Sequence, residues 1–258
     1  MPFVLLSDAV QRICGADKTL TKLMVTKNCV YELDGYKYPE YTENDDDDQQ
    51  KCHEKTNMRI LSFEKRGEME WYECLGSLIG SHGVDGGVRH ILFQSLDPDM
   101  PELANFWFGI LGWHEIDPNT SLRTVQCVDM DLRSPGNFLL WFQFERVNKI
   151  TFRSCRIGSN IGHELANVYL DIEEEIVQYN HEEMSDIDRE IIFDQSEFDT
   201  IKDEESITEF GSGLAKIRGL KTITFRNCLF KNNKTRRLIE SKMEEDLREV
   251  EVRLHFVL

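Results

Sequence analysis

Two stretches decide how the chain is read: VNKITFRSCRI at residues 147–157 and LKTITFRNCLF at residues 220–230. Both carry Ile-Thr-Phe-Arg-x-Cys in the same place, with an apolar residue three positions ahead of the isoleucine. Apolar residues therefore fall at the first, fourth and sixth positions of a frame. The fourth and sixth, Ile150 and Phe152 in one copy and Ile223 and Phe225 in the other, alternate with polar neighbours. That period of two marks a strand with one buried face, and the first position marks where the chain turns into it. A match this close within one chain is an internal repeat, which sets the fold before any single element does.

Outward from these copies the frame recurs with starts at residues 20, 58, 88, 122, 165 and 247, so eight strands are expected. Helices are expected between them. Leu103, Phe106, Trp107, Ile110 and Leu111 lie at helical spacing over 101–113, behind Asp99 as a candidate N-cap and with Pro101 in the first turn. Met69, Tyr72, Leu75 and Ile79 trace a second apolar stripe, and Phe210, Leu214 and Ile217 a third.

Strand, turn, helix and turn in succession resemble the leucine-rich repeat family, its cysteine-containing and ribonuclease-inhibitor-like subtypes most of all. The resemblance implies an α/β solenoid, a horseshoe with a parallel concave sheet and helices on the convex side, over residues 20–258, preceded by an N-terminal cap helix over 1–19. It also implies a ladder in which the ninth-position side chain hydrogen-bonds backbone in the turn leaving each strand. Asn28, Cys155 and Cys228 suit that role; Arg66, Leu96, Met130, Glu173 and His255 do not.

Charge is unevenly spread over the 258 residues. The net is −17, yet residues 171–209 alone carry 16 acidic and two basic residues and residues 32–54 carry nine and two. The remainder is mildly basic, so the two segments read as acidic insertions on the scaffold. Asp45, Asp46, Asp47 and Asp48 mark the first, a solvated loop. Glu173, Glu174, Glu175, Asp203, Glu204 and Glu205 mark the second, where interspersed isoleucine and phenylalanine leave a helix, an irregular repeat or a segment that orders on binding all open. The overall sign argues against nucleic acid and anionic membrane as partners and leaves a basic protein open. No apolar run reaches the length of a membrane helix, no secretory signal is evident, and seven scattered cysteines without a CxxC pair fit reduced thiols in cytoplasm or nucleus.

Side chains between the buried positions point to the other face of a strand, so the third, fifth and seventh frame positions line the concave sheet. They include Lys22, Met24, His90, Leu92, Gln126, Lys149, Thr151, Arg153, Tyr169, Thr224 and Arg226. The row mixes polar and apolar groups and offers no converging acid, base and nucleophile, which points to recognition of a partner protein. Arg153 and Arg226 occupy equivalent seventh positions, open either to a partner or to the acidic segments of the same chain.

The expected function is non-catalytic protein binding as an adaptor, with no cofactor and no metal. Cysteine-containing repeats resemble those that follow F-box motifs, which implies a substrate-recognition subunit of a ubiquitin ligase. An acidic inhibitor or chaperone of a basic protein is the alternative. A hydrolase built on Ser81 and His82 in the Gly-rich stretch 76–87 is remote, because that stretch matches neither a nucleophile elbow nor a phosphate loop. Lys51-Cys-His-Glu54 lacks the second ligand pair a zinc site needs. The last frame has no polar cap after it, so self-association through the C-terminal repeat is also expected.

Overall fold

The computed structural model describes residues 3–5, 22–26, 29–34, 57–62, 76, 88–99, 122–135, 138–139, 146–166, 187–248 and 250–257. Among them, seven strands form one parallel sheet in chain order: β2 (Lys22–Thr26), β5 (His90–Gln94), β6 (Thr124–Val128), β8 (Lys149–Arg153), β10 (Arg189–Asp194), β12 (Leu220–Arg226) and β14 (Arg253–Val257). On the other side of β2 lie β3 (Cys29–Asp34) and β4 (Asn57–Ser62), paired antiparallel, with β1 (Phe3–Leu5) parallel to β4 at the far edge. Among the described residues the sheet has ten strands, with β1 and β14 at its two ends, so it is an open sheet and no barrel.

The register keeps equivalent frame positions side by side. Leu23, Ile91, Val125, Ile150, Ile191 and Ile223 form one row, and Val25, Phe93, Cys127, Phe152, Phe193 and Phe225 the next; every one of them is buried. The aromatic members stack: Phe152 on Phe193 at 5.3 Å, Phe193 on Phe225 at 5.2 Å and Phe225 on Phe256 at 4.7 Å between ring centroids. Helices close this face. They are α1 (Ile161–Ala166), α2 (Glu204–Ala215) and α3 (Asn233–Arg248), which bury Leu165, then Phe210 and Leu214, then Ile239, Met243 and Leu247. The stripe expected at Phe210 and Leu214 is thus the core face of α2, whose start Asp203 caps by accepting from the Ser206 N–H. Asn232 accepts the Thr235 N–H at the start of α3 in the same way.

Five of the parallel strands, β5, β6, β8, β10 and β12, end in a left-handed residue at the eighth frame position: Ser95, Asp129, Ser154, Gln195 and Asn227, with φ between 49° and 54°. Four of the five are short polar types that tolerate this region, and each N–H donates to the carbonyl at the end of the next strand, as from Ser154 to Asp194. The chain then makes a two-residue strand: β7 (Asp131–Leu132), β9 (Arg156–Ile157), β11 (Glu197–Phe198) and β13 (Leu229–Phe230) form a second, four-stranded parallel sheet.

Between the two sheets runs the ninth-position ladder. The Cys155 thiol donates to the Cys127 carbonyl at 3.4 Å, the Ser196 hydroxyl to the Phe152 carbonyl at 2.9 Å, and the Cys228 thiol to the Phe193 carbonyl at 3.2 Å. Ser196 also accepts the Cys155 N–H at 3.3 Å. Substituting Ser196→Ala leaves a buried carbonyl and a buried N–H without these bonds and costs about 1–3 kcal/mol in denaturant unfolding. Ser196→Cys restores the donor that neighbouring units use and recovers most of that loss.

Several expectations need correction. The frame at 58 is β4, an antiparallel partner of β3, because a hairpin interrupts the parallel series there. Of the frame at 165 only Leu165 and Ala166 are described: Leu165 faces the core from α1, and the place expected for its strand beside β8 is taken by β10. The frame at 247 lies four residues early; Leu247 ends the apolar stripe of α3, and Leu254 and Phe256 take the buried register positions beside Ile223 and Phe225. Phe3–Leu5 is a strand within the range expected for the cap helix; the rest of 1–19 lies outside the described residues, as does the helix expected over 101–113. Gly76 is helical and buried, and Met69, Tyr72, Leu75 and Ile79 of the second stripe are likewise outside them.

Candidate functional site

The face of the parallel sheet opposite the helices carries the third, fifth and seventh frame positions. Its best-defined part spans β8, β10 and β12, whose residues there are Lys149, Thr151 and Arg153, then Glu190, Ile192 and Asp194, then Thr222, Thr224 and Arg226. Register sets opposite charges side by side. Lys149 meets Glu190 at 2.9 Å and Arg153 meets Asp194 at 3.9 Å, with Arg226 flanking Asp194 from β12. Farther along the face His90 Nδ1 and Thr124 Oγ1 share a hydrogen bond of 2.8 Å.

Asp194 is the unusual member. It is 3% exposed, and its Oδ1 has no hydrogen-bond partner. Burial pushes its carboxyl above the usual range, against the pull of Arg226 and Arg153. Gln126, 4% exposed on the same face two strands away, also has a buried oxygen, Oε1, without a partner. Between them Thr151 is half-buried and Arg153 keeps about a third of its side chain accessible, 37%. The unmet acceptors thus lie just beneath a face whose donors, Thr151 and Arg153, remain reachable.

Residues expected on this face lie there in β2, β5, β6, β8 and β12: Met24, His90, Leu92, Gln126, Lys149, Thr151, Arg153, Thr224 and Arg226, with Lys22 at the register position of His90. Tyr169 lies outside the described residues, and the place given to its strand belongs to β10. Glu190, Ile192 and Asp194 were thereby missed. The pair Ile191-x-Phe193 with Ser196 three residues on carried the signal, hidden by Asp188 at the first frame position.

The second acidic segment is accordingly no single insertion. Residues 187–209 supply β10, β11 and the start of α2, and the acid in them has local work. Glu197 faces Arg156 at 3.5 Å, and Glu204 and Glu205 sit in the first turn of α2, where carboxylates suit the helix dipole. Hydrogen bonds from Ser206, backbone first, hold the Asp203 carboxyl below its usual range. The first segment overlaps β3 at Glu32–Asp34. Asp45, Asp46, Asp47, Asp48, Glu173, Glu174 and Glu175 lie outside the described residues, as do Ser81, His82 and the Lys51–Glu54 cluster.

A groove of about 400 Å³ follows the turn ladder, lined by Asp129, Met130, Asp131, Ser154, Cys155, Arg156, Gln195, Glu197 and Leu229. Its thiol is no nucleophile: burial pushes Cys155 up to about 12, and Cys228 nearby to about 11. Burial raises Cys127 too. Maleimide labelling at pH 8, read residue by residue by mass spectrometry, is expected to modify these three at least about a hundredfold more slowly in the folded chain than in denaturant. No three His, Cys, Asp or Glu side chains among the described residues gather to hold a metal ion. No helix among them is long and apolar enough to cross a membrane.

No protein-family model matches the chain, and neither a curated protein nor a solved structure does.

Proposed function

We propose that the chain is a solenoid of the leucine-rich-repeat type whose sheet face, centred on Thr151, binds a partner protein without catalysis. What carries this reading is the pair of buried, unmet acceptors, Asp194 Oδ1 and Gln126 Oε1, on either side of that residue. Left alone such groups cost stability, and a partner whose N–H or ammonium donors displace the side chains covering them on β6, β8 and β10 offsets that cost. The solenoid reading is supported by strand order following chain order, by the repeated left-handed turn and by the ninth-position ladder. A reducing compartment, cytoplasm or nucleus, is part of the proposal. Cys155 and Cys228 act as thiol donors to the backbone, a role that oxidation would remove.

The test is affinity capture from cell extract with three baits: the chain itself, Thr151→Arg on the sheet face, and Glu209→Arg on the exposed side of α2. Proteins retained by the first and third and lost with the second support the reading. A set of captured proteins that is identical for all three baits rules it out.

A further inference from the structure

The edge at which the parallel strands begin gathers cations. Arg89 and Arg123 immediately precede β5 and β6, and the Arg123 N–H donates to the Arg89 carbonyl at 2.8 Å. Asn148 carries this backbone ladder on to β8, ahead of which lies Arg146. Arg189 opens β10, and Arg218 and Lys221 stand at the entry to β12. Arg89, Arg123, Arg218 and Lys221 are exposed, and the acidic residues described ahead of these strands and β14 are Asp188 and Glu251. Neighbouring strands lie about 4.8 Å apart, inside the Debye length of about 8 Å at physiological salt, so the like charges act on one another. The crowding registers at Arg189, 5% exposed, whose guanidinium is lowered to about 10 by burial and, after it, by Arg218. The electrostatic complement of such a row is a run of carboxylates.

Connectivity says which carboxylates. Helix α1 ends at Ala166, and three residues before that end His163 Nδ1 lies 3.5 Å from Lys216 Nζ. The chain is next described at Ile187, whose carbonyl packs against Gly219. Residues 167–186 therefore leave and return on either side of Arg218. Seven of residues 171–186 are Asp or Glu, and none is Lys or Arg. At about 3.4 Å per residue, a loop with both ends at this edge reaches well beyond the three strand spacings, about 14 Å, that separate β10 from β5.

We propose that the basic edge is a docking site for residues 171–186 of the same chain, whose carboxylates lie against Arg123, Arg146, Arg218 and Lys221. The tether holds that segment near the edge at an effective concentration on the order of millimolar, which an acidic segment of another protein or of a second copy has to match. Any separate polyanion, nucleic acid included, is also repelled at long range by the net charge of −17. Connectivity and charge together select the chain's own residues as the occupant.

Zero-length carbodiimide cross-linking, which joins a lysine amine to a carboxylate in contact with it, tests this on an equimolar mixture of ordinary and isotope-labelled chain read by mass spectrometry. The pair Lys149 and Glu190, 2.9 Å apart, supplies the link that reports an intact fold. The expected result is links from Lys216 and Lys221 to carboxylates of residues 171–186 within one chain. Arg218→Glu, and Arg123→Glu separately, should reduce them roughly fivefold or more while the link between Lys149 and Glu190 persists. Absence of the expected links beside a strong link between Lys149 and Glu190 overturns the proposal. Links that both reversals leave unchanged overturn it too, since the tether alone then accounts for them, and links joining ordinary to labelled chains assign the edge to a second copy instead.

Discussion

Phe193→Ala is expected to lower the stability of the chain by about 3–5 kcal/mol, the largest loss of any single substitution considered. Phe193 is 0% exposed and its ring sits where the two aromatic rows cross. It stacks between Phe152 and Phe225 along the long sheet, meets Phe198 edge-on at 5.3 Å from the short sheet, and touches Phe210 of α2 at 6.0 Å. Four rings from four elements lose a neighbour at once. The backbone around them is tied by the ladder bond from Cys228 to the Phe193 carbonyl, so the site cannot collapse to fill the void. Guanidinium unfolding checks this: the midpoint falls with little change in slope, and Phe193→Leu, which keeps most of the volume, costs well under half as much.

Gly213→Ala is expected to be the second most damaging, and its sign opposes simple helix propensity. Alanine within a helix is ordinarily favoured over glycine by about 1 kcal/mol. Here an added Cβ would stand 2.6 Å from the His163 backbone nitrogen and 2.9 Å from the Gly162 carbonyl carbon, both in α1. Gly162 reciprocates, its own Cβ position lying 2.4 Å from the Leu214 nitrogen. The two helices touch backbone to backbone through this glycine pair, and neither side can give way locally. Overpacking of about 1–3 kcal/mol or more outweighs the propensity gain. Gly211→Ala, two residues earlier, is the control: its Cβ would meet only the end of the Asp246 side chain, which can swing aside. Thermal unfolding should show a clear drop in Tm for Gly213→Ala and a near-neutral result for Gly211→Ala; equal effects would mean that α1 and α2 are not in such close contact.

The cross-strand ion pairs add modestly to this balance. Lys149 with Glu190 and Arg156 with Glu197 are both more than a third exposed, and such pairs contribute on the order of 0–1 kcal/mol each. Their larger effect is on register. Three charges of β10 and β11 meet three of β8 and β9 only if Ile191 lies beside Ile150, and a slip of one residue would turn Phe193 out of the core.

The sequence by itself determined the repeating element: a strand buried at its fourth and sixth positions, a polar turn, a helix with one apolar stripe. Those features are local, written in spacings of two and of three to four residues, and the two copies at 147 and 220 stand in the sheet in the register that their alignment predicts, with Ile150 and Ile223 in one row through Ile191. Cys155 and Cys228 could likewise be read as ladder positions before their bonds were seen. Which frames become neighbouring parallel strands was decided by tertiary structure. Residues 187–209 read as part of an acidic insertion of open conformation because each carboxylate was counted without its partner. In the folded chain Glu190 lies against Lys149, Asp194 between Arg153 and Arg226, Glu197 against Arg156, and Asp203 at a helix N-terminus. Those partners are 32 to 41 residues away in the two sheets, or inside a cap that exists only once the helix forms, so no local window contains them. At the frame starting at 165 the converse holds: Leu165 at its first position is buried from a helix, and the place expected for its strand beside β8 belongs to β10, since a strand is selected only by neighbours with which it can exchange backbone hydrogen bonds.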